Sequence, residues 1–251
     1  MIGLYELARI GVSLGLPSAI LSRAAGLRGT KFLAKAALKS QVGSARPFQM
    51  VNVGACDGVL FDDCTPWLNR IKGSKAVLVE PIPYNQQRLR KNYPDESRFT
   101  IEPVAVTREQ GTITVKTFEA SAIESGTLPI EFVGCSSVAD TNLMSGVNAW
   151  GETDANFGKY APYLKEIEVR SETLQTLLDR NAIAHIDAFL VDCEGADWVV
   201  FDQLDLTRYR PGMIKIEIGA LSPLDIGNVI VKLKTANYMV GLQNEDVWAF
   251  A

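Results

Sequence analysis

Residues 48–58 read FQMVNVGACDG. An apolar run leads directly into a turn holding Gly54, Asp57 and Gly58, which is how a buried strand of an α/β sheet ends where a nucleotide-like cofactor binds. Twenty-two residues beyond Gly58 a second apolar run, 76–79, ends in Glu80. That is the spacing at which an acid reaches ribose hydroxyls in dinucleotide folds. Together the two signals imply an adenosine-containing ligand.

The turn also discriminates among such ligands. Two residues after Gly54, where a dinucleotide site needs a glycine so that backbone can approach the pyrophosphate, stands Cys56. Asp57 places a carboxylate where two phosphates would sit, and no Lys-Ser or Lys-Thr pair follows to make a P-loop. S-adenosyl-L-methionine (SAM) has adenosine and no phosphate, and its ammonium and sulfonium suit an acidic loop. The residues favour SAM over NAD or ATP.

With 251 residues, 47% of them hydrophobic, the chain can bury a full core, and one α/β domain with additions is expected. Cysteines 56, 64, 135 and 193 show no CxxC spacing, so neither a zinc site nor a disulfide framework is indicated, and a reducing cytoplasm fits them. The net charge of −4 is unevenly spread: residues 1–46 carry seven Arg or Lys against one acid, Glu6. This basic stretch reads as an N-terminal helical extension, with the methyl-transfer or redox domain, whichever it is, over 47–251. Its apolar positions are interrupted by Glu6, Arg9, Gly15 and Pro17, so no spanning helix is expected. Amphipathic helices covering the open side of the domain are the first reading. A docking surface for a membrane or an acidic partner is the second, and a cleaved targeting peptide the third. Nothing points to nucleic acid, and the sequence does not reveal an oligomeric state.

Beyond residue 46 strand-like runs alternate with amphipathic helical stretches, the pattern of a doubly wound parallel sheet. Seven core strands are read at 49–53, 76–79, 99–106, 186–191, 213–218, 238–242 and 247–250, with an added antiparallel strand at 112–117. A long polar insertion, about 118–165, holds Trp150, Phe157 and Tyr160, which either contact an apolar substrate or pack a small core of their own. His185, the only histidine, precedes the fourth core strand and reads as structural or surface.

A second chemical cluster is FLVDCEGAD, residues 189–197, in which an apolar strand ends at Asp192 and turns through Glu194 and Gly195. In IKIEIG, 214–219, Glu217 is an acid inside an apolar run and requires a partner, Lys215 being one choice. Asp192, Glu194 and Glu217 therefore converge at the carboxyl edge of the sheet. They either hold Mg²⁺, whose octahedron water and a substrate hydroxyl would complete, or Asp192 or Glu194 acts as general base without metal. Asp197 reads as an acid at a helix N-terminus.

VNVGACDG, LVEPIP, ETLQTLLDRNAIAHIDAFLVDCEGAD and IKIEIG in combination resemble the FkbM-type methyltransferases over residues 48–220. The resemblance implies a class I, Rossmann-like SAM-dependent methyltransferase fold that O-methylates hydroxyls of sugars, macrolides or other natural products. It implies a cofactor set of Asn52, Gly54, Ala55, Asp57, Gly58, Glu80, Pro81, Ala105 and Asp192. Within that set Gly54, Asp57 and Gly58 line the methionine end, Glu80 the ribose and Ala105 the adenine edge. Asp192 and Glu194 match the acidic turn, and Ser136 and Ser137 a substrate-side loop. Asn52, Cys193 and Trp198 depart from the residues usual at their positions. The rival readings are an NAD-dependent oxidoreductase, disfavoured by Cys56 and Asp57, and a non-catalytic Rossmann-fold binding protein.

Overall fold

The computed structural model of the chain describes residues 25–41, 46–137 and 158–251. Trp150, Phe157 and the first 24 residues lie outside the described residues. The apolar runs form strands β1 (Gln49–Val53), β2 (Lys75–Val79), β3 (Phe99–Glu102), β7 (Ala188–Val191), β8 (Met213–Glu217), β9 (Met239–Gln243) and β10 (Asp246–Phe250). They pair in the order β3–β2–β1–β7–β8–β10–β9, parallel except for β10, which runs antiparallel to both neighbours. Strand alternation sends Val51, Val53, Phe189, Val191, Ile214 and Ile216 to one face. Met50, Leu78, Ala188, Leu190 and Met213 go to the other. Both faces are buried, as a parallel sheet requires.

Helices α4 (Leu174–Arg180), α5 (Asp197–Asp202) and α6 (Pro223–Thr235) cover the first face through Leu177, Phe201 and Val229. Their ends follow from local chemistry: Thr173 caps α4 by accepting from the Thr176 amide, and Ser222 caps α6 with Pro223 in the first turn. The second face is covered by α1 (Ala25–Gln41) and α2 (Pro83–Asn92), through Leu33 and Leu89. The described part of the basic extension therefore does what an amphipathic covering helix does.

The expected strand at 99–106 is two strands. Pro103, which has no N–H for the ladder, separates β3 from β4 (Ala105–Val106), and β4 joins a second sheet of order β4–β6–β5. Its other members are β5 (Gly111–Phe118), the added strand read at 112–117, and β6 (Leu164–Glu172), which was not read as a strand and pairs antiparallel with β5. Helix α3 (Ala120–Glu124) follows β5. Tyr160, 3% exposed, packs against Phe132, which packs on Phe118, so it belongs to the insertion's own core. His185 approaches the Pro47 carbonyl at 3.2 Å at the amino end of the sheet.

One guanidinium joins the two sheets. Arg180, in the last turn of α4, donates to Glu102 at the end of β3, 2.6 Å away, and to Glu172 at the end of β6. Both acids are buried. Removing the cation strands buried Glu172 and leaves buried Glu102 with the Asn181 side-chain amide alone, which costs more than an exposed pair is worth. Arg180→Ala is expected to lower unfolding free energy by about 2–3 kcal/mol in urea denaturation.

Candidate functional site at the carboxyl ends of the strands

Strand order reverses between β1 and β7, the position at which open α/β sheets bind ligands. Gly54 leaves β1 with φ +82°, and a Cβ there would overlap the carbonyl of Asp192, which follows β7. Only glycine meets both demands. The Gly54 and Ala55 amides both donate to the Val79 carbonyl at 2.9 Å, and the Asp192 amide donates to the Val53 carbonyl at 3.0 Å. The ends of β1, β2 and β7 are thus tied together.

Around this knot opens a cavity of about 640 Å³, within the range of roughly 300–1,000 Å³ for sites that enclose small ligands. Of the cofactor set, Asn52, Gly54, Ala55, Glu80, Pro81 and Ala105 line it. The acids Asp192, Glu194 and Glu217, and the loop serines Ser136 and Ser137, also reach its wall. Ser137 is in addition a structural link, exchanging backbone hydrogen bonds with Lys116 and donating from its hydroxyl to the Glu194 carbonyl at 3.3 Å.

Asp57 and Gly58 are not part of the wall, contrary to the expectation that they line the methionine end. One Asp57 oxygen accepts the Val59 and Leu60 amides at 3.0 and 2.7 Å, and the other pairs with Arg88 of α2 at 2.8 Å. The Gly58 carbonyl accepts from the Tyr93 hydroxyl at 2.7 Å. Both residues shape the loop from behind. Sequence reasoning could not see this, because Arg88 lies 31 residues downstream of Asp57.

Glu80 does face the cavity. Its two oxygens accept the Cys56 and Ile82 amides at 2.9 and 2.8 Å. Burial raises its pKa to about 7, although these amide hydrogen bonds pull it down. Asp192 is open to the cavity but closely surrounded by protein, and desolvation followed by repulsion from Asp197 raises it to about 7 as well. Glu217 rises to about 10, first through burial and then through Asp197 and Asp192. One Glu217 oxygen accepts the Gly219 amide and the other is buried without a partner among the described residues. Lys215 does not neutralise it: Lys215 pairs with Asp246 on β10 at 3.2 Å. Burial works against the Lys215 charge, but Asp246 and the other acids nearby outweigh it and hold the lysine protonated.

The grouping of possible metal ligands differs from the expected one. Oxygens of Asp192, Asp197 and Glu217 lie within 4.8 Å of one another, and Glu194 is outside this group. Asp197 at the start of α5 is fully buried and accepts the amides of Cys193 and Gly195 at 2.8 and 3.0 Å, so it braces the acidic turn. Three wall residues escaped the sequence reading. Asp62 accepts from Asn52 at 3.1 Å, Glu245 sits in the β9–β10 turn, and Phe61 is 47% exposed on left-handed backbone, φ +62°. The Asp62-Asp63 pair just past the glycine turn was the available signal for the first.

The seven-stranded sheet with its reversed β10, and the cavity at its switch point, are those of the Rossmann-like class I methyltransferase fold. The family model described as the methyltransferase FkbM domain matches residues 52–240, and the chain belongs to that family. Among solved structures, a methyltransferase FkbM from Methylobacillus flagellatus KT superposes with TM-score 0.50 at 13% identity, over 82% of this chain and 44% of that one. The chain thus spans less than half of that protein's length. A precorrin-6y C5,15-methyltransferase from Geobacter metallireducens GS-15 aligns at TM-score 0.40 and 10% identity, over 88% of this chain and 84% of that one. A ribosomal protein L11 methylase from Lactobacillus delbrueckii subsp. bulgaricus aligns at 0.38 and 8%, over 88% and 76%. No curated protein matches the chain.

Carboxyl groups raised in the folded state hold protons that the unfolded chain releases near pH 4. Their stabilisation is complete below that pH and is lost as pH climbs through about 7, for Glu80 and Asp192, and toward 10 for Glu217. The ligand-free protein is expected to melt at least about 5 °C lower at pH 8 than at pH 5.5 by scanning calorimetry. Glu217→Gln should flatten that slope and raise the melting temperature at pH 8. Gly54→Ala should abolish binding of S-adenosylhomocysteine in isothermal calorimetry, because the added methyl displaces the Asp192 turn.

Proposed function

We propose that this protein is a SAM-dependent O-methyltransferase acting on a hydroxyl of a sugar, macrolide or other natural-product acceptor. The observation that carries this reading is the junction of Gly54 with the Asp192 carbonyl, beside buried Glu80, at the mouth of a cavity whose acids exceed its one lysine. The residues present fit the cofactor: Gly54 and Ala55 form the stretch of wall where its methionine end would lie, Glu80 suits the ribose hydroxyls, and Ala105 the adenine edge. When bound, SAM supplies an electrophilic methyl group on a sulfonium. Its positive charges offset carboxylates that the protein itself leaves uncompensated.

For the acceptor, Asp192 is the candidate base. A carboxylate near pKa 7 is half-ionised at working pH and basic enough to take the hydroxyl proton as the oxygen becomes nucleophilic. Glu194, raised by burial and by Asp192, is the alternative partner in the same turn. Such coupled acids titrate as a set, so the pH profile belongs to the cluster. The main demand on the fold is positioning, with the acceptor oxygen held about 3–3.5 Å from the methyl carbon. Leu60 and Phe61 offer an apolar rim for the body of the acceptor.

A second reading rests on the three carboxylates within 4.8 Å. Asp192 and Glu217 could hold Mg²⁺ with water and the acceptor hydroxyl completing its shell, since both oxygens of Asp197 already accept amides. A chelator that abolishes turnover, restored by Mg²⁺, would select this reading over the metal-free base.

In calorimetry, Glu80→Ala should weaken S-adenosylhomocysteine binding at least about tenfold, because two ribose hydrogen bonds to a charged group are lost. An NADH affinity exceeding that for S-adenosylhomocysteine would overturn the cofactor assignment. Asp192→Asn should cut kcat about 10²–10⁴-fold while changing S-adenosylhomocysteine affinity much less. In the unaltered enzyme kcat should rise with pH through about 7, as the cluster that contains Asp192 loses a proton.

A further inference from the structure

The outward face of α1 is unlike that of a helix that only covers a sheet. Its 17 residues, AGLRGTKFLAKAALKSQ, contain no acid. Its inward side is specified by close packing: Gly29 lies against the Trp248 ring, Phe32 against Gly212 and Phe48, and Leu33 is buried. On the opposite side Lys31, Lys35 and Lys39 recur every four residues as one exposed stripe, with Arg28 at its edge. Beside that stripe stand Leu27 and Leu38, 64% and 71% exposed, three turns apart and therefore on one line. Met239, 55% exposed, lies against Arg28 at the border of this face. Water alone does not call for exposed leucines, and a purely electrostatic partner does not either.

We propose that this face docks on a bilayer containing anionic phospholipid. The lysine stripe meets the negative headgroups, and Leu27, Leu38 and Met239 enter the boundary of the acyl region, as in interfacial helices whose cationic side chains snorkel outward. The charge match is specific to this region, because the rest of the chain beyond residue 46 is net acidic and would be repelled. A nucleic acid would use the cations but not the leucines, which favours lipid.

The contacts of α1 also set the orientation. Apart from Gly29 on Trp248, at the middle of β10, those named fall at the amino ends of the strands: Phe48 before β1, Gly212 before β8, Met239 opening β9, and Ser40 accepting the Lys72 amide before β2. The cavity opens at the opposite, carboxyl edge, so the membrane holds the protein without covering the site.

The test is co-sedimentation of the full chain with vesicles of phosphatidylcholine, alone or mixed with phosphatidylglycerol. Binding to the mixed vesicles only, weakened by added salt, is expected. Combined Lys31→Glu, Lys35→Glu and Lys39→Glu should reduce it about a hundredfold or more, and Leu27→Ser with Leu38→Ser several-fold, each with an unchanged melting temperature. Failure to bind mixed vesicles, or equal binding by the charge-reversed protein, would overturn the proposal. Binding to double-stranded DNA as tightly as to mixed vesicles, lost in the same variants, would reassign the face to nucleic acid. Should the lysine variant melt early, Lys31→Gln, Lys35→Gln and Lys39→Gln give the same reading without charge reversal.

Discussion

Two backbone segments approach one another too closely for any side chain where Gly54 meets the Asp192 carbonyl. Much of the site is set by that contact. It fixes the turn after β1, and through the shared Val79 carbonyl it fixes the end of β2, where Glu80 stands. It also fixes the turn after β7, from which Asp192 and Glu194 project. The loop on the far side is braced separately, by Asp57 holding two amides and Arg88. Cofactor side and acid side are therefore one rigid unit, and no independent adjustment of either is available.

Electrostatics at this unit are deliberately unbalanced. Lys215 pairs with Asp246 and relieves Asp192 only from a distance, while Glu80, Asp197 and Glu217 have backbone amides as their main relief. Amides, and Lys215 in the case of Asp192, favour the charged forms, burial and mutual repulsion oppose them, and burial wins in each case. A site of this kind stores unfavourable charge that a cationic ligand relieves.

The sequence was most informative where function forces special backbone or misplaced polarity. The GACDG turn, Glu80 at a strand end, and Asp192, Glu194 and Glu217 amid apolar strands could each be read, because each violates the pattern around it. Six of the seven core strands were legible as apolar runs close to their observed bounds. The third was overextended because Ile101 and Val104 continue the apolar pattern across Pro103. Strand β6 was hidden because its outward positions are Lys165, Glu166 and Glu168, and only pairing with β5 makes it a strand. The role of Asp57 and the entry of Asp197 into the acidic group depended on partners brought in by the fold, Arg88 in one case and the returning turn in the other.

The chain leaves the main sheet after Glu102 and comes back to it after Glu172, and the guanidinium of Arg180 grips both points of departure and return. The described parts between them, the small sheet with its aromatic core and the loop bearing Ser136, are clamped at their base by a residue that belongs to neither the glycine turn nor the acidic turn. The segment is thereby a cassette. Its contents can be exchanged or lengthened while the frame that carries the cofactor turn stays in register, which gives this scaffold a route to new acceptors through insertion rather than through redesign of its core.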